Sequence, residues 1–278
     1  MSFWFYRNPI KCSSKINFDN FKIPSDVSSR SVCKGKLLEI INDPKANVDS
    51  MKEALQQYIN YFYGFIVSPV DNAKYNSKIK TYTPVRWTDS ISLSTDDAVV
   101  EQDFVFEFAS MLLNVAFWYS KHAAFLTTNT IINDDVGKEL HRSMRMAMGL
   151  IKLIKEDLVG HLENRPKENT DLHLDVLNGY YYQFNAEAQE FTTQKAIQLE
   201  HQPSLISALA YETAKLYKDA QLSIKPCQDK IAGKWKMYLE LKHNCYMAYA
   251  YCFHVGKLLK ENQAGEAIAA GNSAKFKV

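Results

Sequence analysis

From Phe104 to Trp118 the sequence is apolar on every side of any helix it could form, and this run sits in an 81-residue stretch between Pro84 and Pro166 that contains no proline. A helix without a polar face cannot lie on a surface and must be enclosed by other elements. Glu107, Ser110 and Asn114 interrupt the run, and Asp103 and Lys121 flank it. It falls short of the roughly 20 largely apolar residues that cross a bilayer. The run therefore predicts the central helix of a helical array, and the rest of the chain must supply amphipathic helices to cover it.

Those helices are legible. One is expected from Ser31 to Ile41, stopping before Asp43 and Pro44, because the residue before a proline avoids helical geometry. Ser50 and Glu53 have the spacing of a capping box and predict a helix to about Ile66, with Leu55, Tyr58, Ile59, Phe62 and Phe65 inside and Pro69 closing it. Thr95, Asp96 and Asp97 are the expected start of the central helix, and Asn133 to Asp135 the cap of the next. There Leu140, Met144, Met148, Ile151 and Ile154 form one stripe. A polar loop at 163–170 precedes a long helix to about Leu199. Another begins at Pro203 and Ser204, and a last long one after Lys225 and Pro226 carries Trp235, Leu239, Tyr246, Tyr249 and Phe253.

Residues 77–93 follow a different period. Ile79, Thr81, Thr83, Val85, Trp87, Ile91 and Leu93 occupy odd positions, and alternation of β-branched and aromatic residues predicts a strand pair, with Pro84 at an edge or turn. The first 25 residues, with Pro9 and Pro24, are expected to be extended. The sum is an α-rich array of long antiparallel helices with a small strand element near its start. Stacked helix pairs of this kind build extended surfaces more readily than one deep pocket.

Composition narrows the function. The 278 residues are 46% hydrophobic and 13% aromatic, with a net charge of +2, which is globular and not disordered. A nucleic-acid binder would carry a strong basic excess. The N-terminus lacks the apolar core and cleavage site of a signal peptide. Five cysteines (12, 33, 227, 245 and 252) with no CxxC read as reduced thiols of a cytoplasmic protein. Cys245 and Cys252 read as small core residues. The C-terminus ends without a CaaX cysteine for prenylation.

Enzyme signatures are missing: the sequence holds no GxSxG, Walker loop, GxGxxG or HExxH. Glu240 and His243 form a single ExxH, whereas a di-iron bundle needs two, with further carboxylates. The pair reads as accidental and exposed. Glu187 and Glu190 read as solvated or capping side chains, and His141 as part of a basic face. No cofactor or metal is implied. The binding signals are stronger. Leu205 and Leu209 share a helix face, and Lys138, Arg142 and Arg145 form a basic stripe beside Met144 and Met148. An apolar strip and a basic strip suit an acidic amphipathic helix laid in a groove.

Runs along the chain carry a family resemblance. They include Trp4 to Pro9, Arg86 to Asp89, Gln102 and Asp103, Asn114 to Tyr119, His141 to Ser143, Lys155 and Glu156, and Ala186 to Glu190. Ala208 to Ala214, Lys234 and Trp235, Tyr238 and Leu239, Ala248 to Cys252 and Gly265 to Ile268 complete the set. In this order they resemble the Bro-one domain family. The resemblance implies a mostly α, boomerang-shaped domain with a helical-repeat, TPR-like core and a small N-terminal β element, spanning residues 1–268, with 269–278 a divergent tail. It implies a non-enzymatic adaptor that binds the C-terminal amphipathic helix of an ESCRT-III subunit, a charged multivesicular body protein, in membrane remodelling. One branch of the family works at the nuclear envelope, through a farnesylated C-terminal cysteine and contact with a nesprin, in repair of ruptures.

Position by position, the resemblance implies that Leu205 and Leu209 line the docking pocket with Ile206 alongside, and that Asp134, Lys138 and Arg142 line the same groove. Thr192 stands where the family pocket has an aromatic residue, which buries less ligand surface and implies weaker or different partner choice. The family domain continues past Ile268, so the chain reads as a shortened form with helix faces left exposed. Two alternatives differ in class. One is a helical-repeat scaffold for a nesprin or a lipid surface, peripheral at the nuclear envelope or endosomal membranes. The other is a metal-dependent enzyme built around His243.

Overall fold

The structure, a computed structural model, describes residues 9–14, 16, 27–68, 75–92, 98–128 and 134–275. Among these are eight α-helices and one two-stranded antiparallel sheet. They form two compact units, one ending at Leu174 and one starting at Asp175.

The first unit is built round α3 (Phe104–Leu126), in which every residue from Phe104 to Ser120 is buried, as the apolar run requires. α1 (Val27–Ile41) and α2 (Val48–Ile66) cover one side. From α2, Phe62 and Phe65 pack on Phe104 with ring centroids 5.5 and 4.8 Å apart, and Tyr58 stacks on Phe62 at 5.1 Å. The polar residues within the run anchor outlying pieces. Glu107 accepts from the Trp87 indole N–H and pairs with Lys34 of α1 at 2.7 Å. Asn114 exchanges two hydrogen bonds with the Lys11 backbone, at 2.8 and 2.9 Å. Near the other end Trp118 Nε1–H donates to the Asp43 carbonyl at 2.8 Å, pinning the turn between α1 and α2. α4 (Asp134–Leu153) runs on through a π-helical turn, Ile154–Leu158.

Local signals were displaced in three places. The N-cap of α2 is Asn47, whose side chain accepts from the Asp49 N–H at 2.7 Å. Ser50 therefore lies inside the helix, because Asn47 offers an Asx acceptor one turn earlier. Thr95 to Asp97 lie outside the described residues, and Ala98–Glu101 that follow form a strand, β2. α3 instead starts at its N-cap Asp103, which accepts from Val105 N–H at 2.8 Å and from Glu163 N–H at 2.9 Å. β2 is also the partner of β1 (Val85–Thr88), with Trp87 opposite Val99. The expected pairing within 77–93 is therefore replaced, since residues 78–82 turn. The alternation holds over 83–87, where Thr83, Val85 and Trp87 are buried. Trp4 to Asn8, Pro69 and Asn133 lie outside the described residues.

The second unit contains α5 (Leu174–Gln198), α6 (Pro203–Ser223), α7 (Asp229–Lys260) and α8 (Ala264–Lys275). The boundary expected at Ile268 falls within α8. Glu187 and Glu190, expected at a solvated surface, are 1% and 3% exposed. Each has a partner on another helix, and for Glu187 it is Tyr238 of α7, which donates at 3.4 Å. Glu190 holds Lys242 of α7 at 2.8 and 3.0 Å and accepts from Tyr217 of α6 at 2.6 Å. The Lys242 ammonium lies about 6 Å from the rings of Tyr217, Tyr238 and Tyr246. Gln183 donates to Glu187 at 2.9 Å and accepts from the Trp235 indole N–H. Close packing between α5 and α7 needs Gly179, where a Cβ would sit 2.4 Å from Ile224 Cγ2 and 3.0 Å from Trp235 Cη2.

Removing one partner of a buried pair leaves the other charge unpaired, at a cost of about 3–5 kcal/mol. Lys242→Met is expected to lose about that much stability by urea denaturation, and Lys242→Met with Glu190→Gln substantially less. Additive losses would show that the pair is not coupled.

Candidate functional site

α6 carries the expected apolar docking residues. Its helix starts at Pro203 in the first turn, a position that needs no N–H. Contacts with α7 fix its height: Ser207 Oγ donates to the Ala250 carbonyl at 2.8 Å, and His243 Nδ1–H to the Ala214 carbonyl at 2.9 Å. Contacts with α5 fix its rotation. Thr213 Oγ1 lies 3.0 Å from Thr193 Oγ1 and donates back to the Leu209 carbonyl at 2.8 Å. With α6 so oriented, Leu205 is 47% exposed, Leu209 half-buried and Ile206 3% exposed. Leu205 and Leu209 are thus offered to solvent one turn apart, while Ile206 points inward with Ala210 and Ala214. Thr192 on α5 is half-buried, and its Oγ1 donates to the Ala188 carbonyl at 3.3 Å, folding the hydroxyl back on its own helix.

The charged residues Asp134, Lys138 and Arg142 belong to α4, in the first unit, and all three are exposed. Leu140, Met144, Ala147 and Ile151 bury the opposite face of α4, and Met148 is half-buried. The basic stripe is partly neutralised within its own helix: Lys138 lies 3.2 Å from Asp135 and Arg142 3.5 Å from Glu139. Exposed pairs of this kind contribute about 0–1 kcal/mol and exchange readily for a ligand carboxylate. Asp134 and Asp135 occupy the first turn of α4, where the helix dipole favours anions. Arg145 and Met146 extend the exposed face.

The His243 reading finds other chemistry. The imidazole is tethered to α6, Glu240 is exposed, and among the described residues no three His, Cys, Asp or Glu side chains are grouped to hold a metal. Cys252 is exposed, contrary to the core role expected for it, whereas Cys245 is half-buried. Met237, Leu241, Leu259 and Ile268 are 50–70% exposed on α7 and α8. Among the described residues no helix is long and apolar enough to cross a membrane.

The profile of the BRO1-like domain matches residues 40–278. The chain belongs to the BRO1 domain family. It is 37% identical to human BRO1 domain-containing protein BROX over 281 residues, covering 99% of this chain and 68% of BROX. Two solved structures share the fold. A Bro1 domain described as the basis for endosomal targeting superposes with a TM-score of 0.72 at 20% identity, over all of this chain and 77% of that one. The ALIX BRO1 domain in complex with CHMP4C superposes with a TM-score of 0.69 at 19% identity, over 98% and 78%. The BRO1 match runs past Ile268 and takes in the whole of α8.

The split between Leu205 and Ile206 is testable by urea denaturation. Leu205→Asp changes stability by less than about 0.5 kcal/mol, as exposed substitutions do. Ile206→Ala costs about 2–5 kcal/mol for the buried volume removed.

Proposed function

We propose that this chain is a non-enzymatic adaptor whose BRO1 domain binds the C-terminal amphipathic helix of an ESCRT-III subunit. One observation carries the reading: two leucines one turn apart are held at the solvent face of a helix whose rotation is fixed by buried hydrogen bonds. A preorganised apolar pair of this kind suits the i, i+4 anchors of a ligand helix. The ALIX BRO1 domain, of the same fold, is known in complex with CHMP4C. In this reading Leu205 and Leu209 are the apolar anchors and Ile206 supports them from beneath, while Asp134, Lys138 and Arg142 are an exposed charged face of the first unit. Thr192 lowers the apolar area available and shifts partner choice. The setting is membrane remodelling at the cytoplasmic face of endosomes or the nuclear envelope, with envelope repair the role favoured by the similarity to BROX.

The second reading, peripheral contact with an anionic membrane, is favoured by one observation: Arg142, Arg145 and Lys152 lie exposed along α4 with Met146 and Leu153, which are 37% and 41% exposed.

Fluorescence polarisation with an ESCRT-III C-terminal helix peptide separates the two. Leu209→Asp is expected to weaken binding at least tenfold with an unchanged melt, since burying one leucine contributes about 1.5–3 kcal/mol. Arg142→Ala is expected to weaken it only severalfold and to flatten its salt dependence. Unchanged affinity in Leu209→Asp removes the docking assignment. Liposome binding lost on neutralising Arg142 and Arg145, with peptide binding intact, supports the membrane reading.

A further inference from the structure

In the first unit, β2, the start of α3 and the loop at 162–172 enclose a cleft of about 430 Å3, its solvent-filled mouth included. The loop is pinned at both ends. Glu163 N–H donates to Asp103 at 2.9 Å and the Asn164 side chain to Glu101 at 2.6 Å, while the Asp171 carboxylate accepts the Ser90 and Ile91 N–H groups. The walls are therefore set before a ligand enters, which lowers the ordering cost of binding. Val99, Phe106, Leu162 and Leu172 supply apolar lining. Among the described lining residues three carboxylates, Asp89, Glu101 and Asp103, stand against one cation, the exposed Lys167.

Two of these carboxylates already have their work. Asp103 caps α3 with one oxygen and holds the Glu163 N–H with the other, and Glu101 holds Asn164. Asp89 is different. It is 8% exposed, and its Oδ1 accepts the Asp171 N–H at 3.0 Å and lies 3.7 Å from Lys11 Nζ. Lys11 is shared, and sits nearer Asp171, at 3.1 Å. The second oxygen, Asp89 Oδ2, accepts no hydrogen bond from the described residues. A buried carboxylate is costly unless its charge is paired and its oxygens are bonded, so Asp89 presents an unfilled requirement for a charged donor at the wall of an open cleft.

A bare metal ion fits poorly, because among the described residues these carboxylates are not grouped as ligands and much of the lining is apolar. An organic cation fits better: its N–H donors meet the free oxygen in a charge-assisted bond, and its stem lies against the apolar walls. We propose that this cleft binds a primary ammonium or guanidinium group carried on an apolar stem, with Asp89 Oδ2 as its acceptor. A free alkylamine and the lysine or arginine side chain of a partner share that chemistry. Burial, and then the charge of Asp171, lift the Asp89 carboxyl to about 6, which leaves it ionised at pH 7.5.

Amide NMR of the full chain at pH 7.5, titrated with n-pentylamine, tests the site. Saturable shifts confined to residues 99–106 and 162–172 are expected, with 1-pentanol, the same stem without the charge, binding at least about tenfold more weakly. Asp89→Asn, which keeps the Oδ1 acceptor for the Asp171 N–H, should weaken pentylamine binding about tenfold. If that variant fails to fold, the contrast between amine and alcohol in the wild type decides. Absence of saturable shifts, shifts centred elsewhere, equal binding of the alcohol, or unchanged affinity in Asp89→Asn overturns the proposal. Nα-acetyl-lysine amide separates the sources: binding as tight as pentylamine upholds the site as one for a partner's side chain, and its exclusion while pentylamine binds upholds it as one for a free amine.

Discussion

The Glu190–Lys242 pair, buried among the rings of Tyr217, Tyr238 and Tyr246, is the contact on which the order of the second unit depends. Three of its four helices contribute a member: α5 the carboxylate, α7 the ammonium and α6 the Tyr217 hydroxyl. Such a pair gains little net energy against an apolar replacement, because desolvation offsets most of the attraction. Its contribution is specificity. Apolar side chains tolerate a helix that slips or rotates, whereas an ammonium held by two oxygens and three ring faces tolerates neither. Since Leu205 and Leu209 gain their exposure from the rotation of α6, the proposed docking pair rests on a contact buried two to three turns away.

The same logic organises the first unit. α3 satisfies its backbone internally and can be buried outright, but an apolar cylinder says nothing about where its neighbours attach. Glu107, Asn114 and the N-cap Asp103 mark those points, each receiving a different piece of chain: Trp87 and Lys34, the Lys11 backbone, and the Glu163 amide. The polar interruptions of the run are thus its attachment points.

Helix existence was legible because the period of apolar residues survives any tertiary context, as in α4, where Leu140, Met144 and Ile151 are buried as read. Helix starts were less so. Asn47 outcompeted Ser50, since several residues within a few positions can each cap a helix, and α3 starts only at Asp103 because a strand, Ala98–Glu101, precedes it. Glu187 and Glu190 were misplaced for a related reason. Acidic residues on a helix are usually solvated, and the distant partners that bury these two are Tyr217, Tyr238 and Lys242, reached across 27 to 52 residues of chain.

The sequence by itself determined the helical class, the buried central helix, the shared face of Leu205 and Leu209, and the stripe Lys138, Arg142 and Arg145, because all of these follow from spacing at 3.6 residues per turn. Only the tertiary structure decided which side of each helix meets solvent. That choice turned Ile206 inward and left Leu205 outside, paired the basic stripe with Asp135 and Glu139, and enclosed Lys11 between two carboxylates. Periodicity defines a face relative to its own axis, whereas burial is defined by what packs against it.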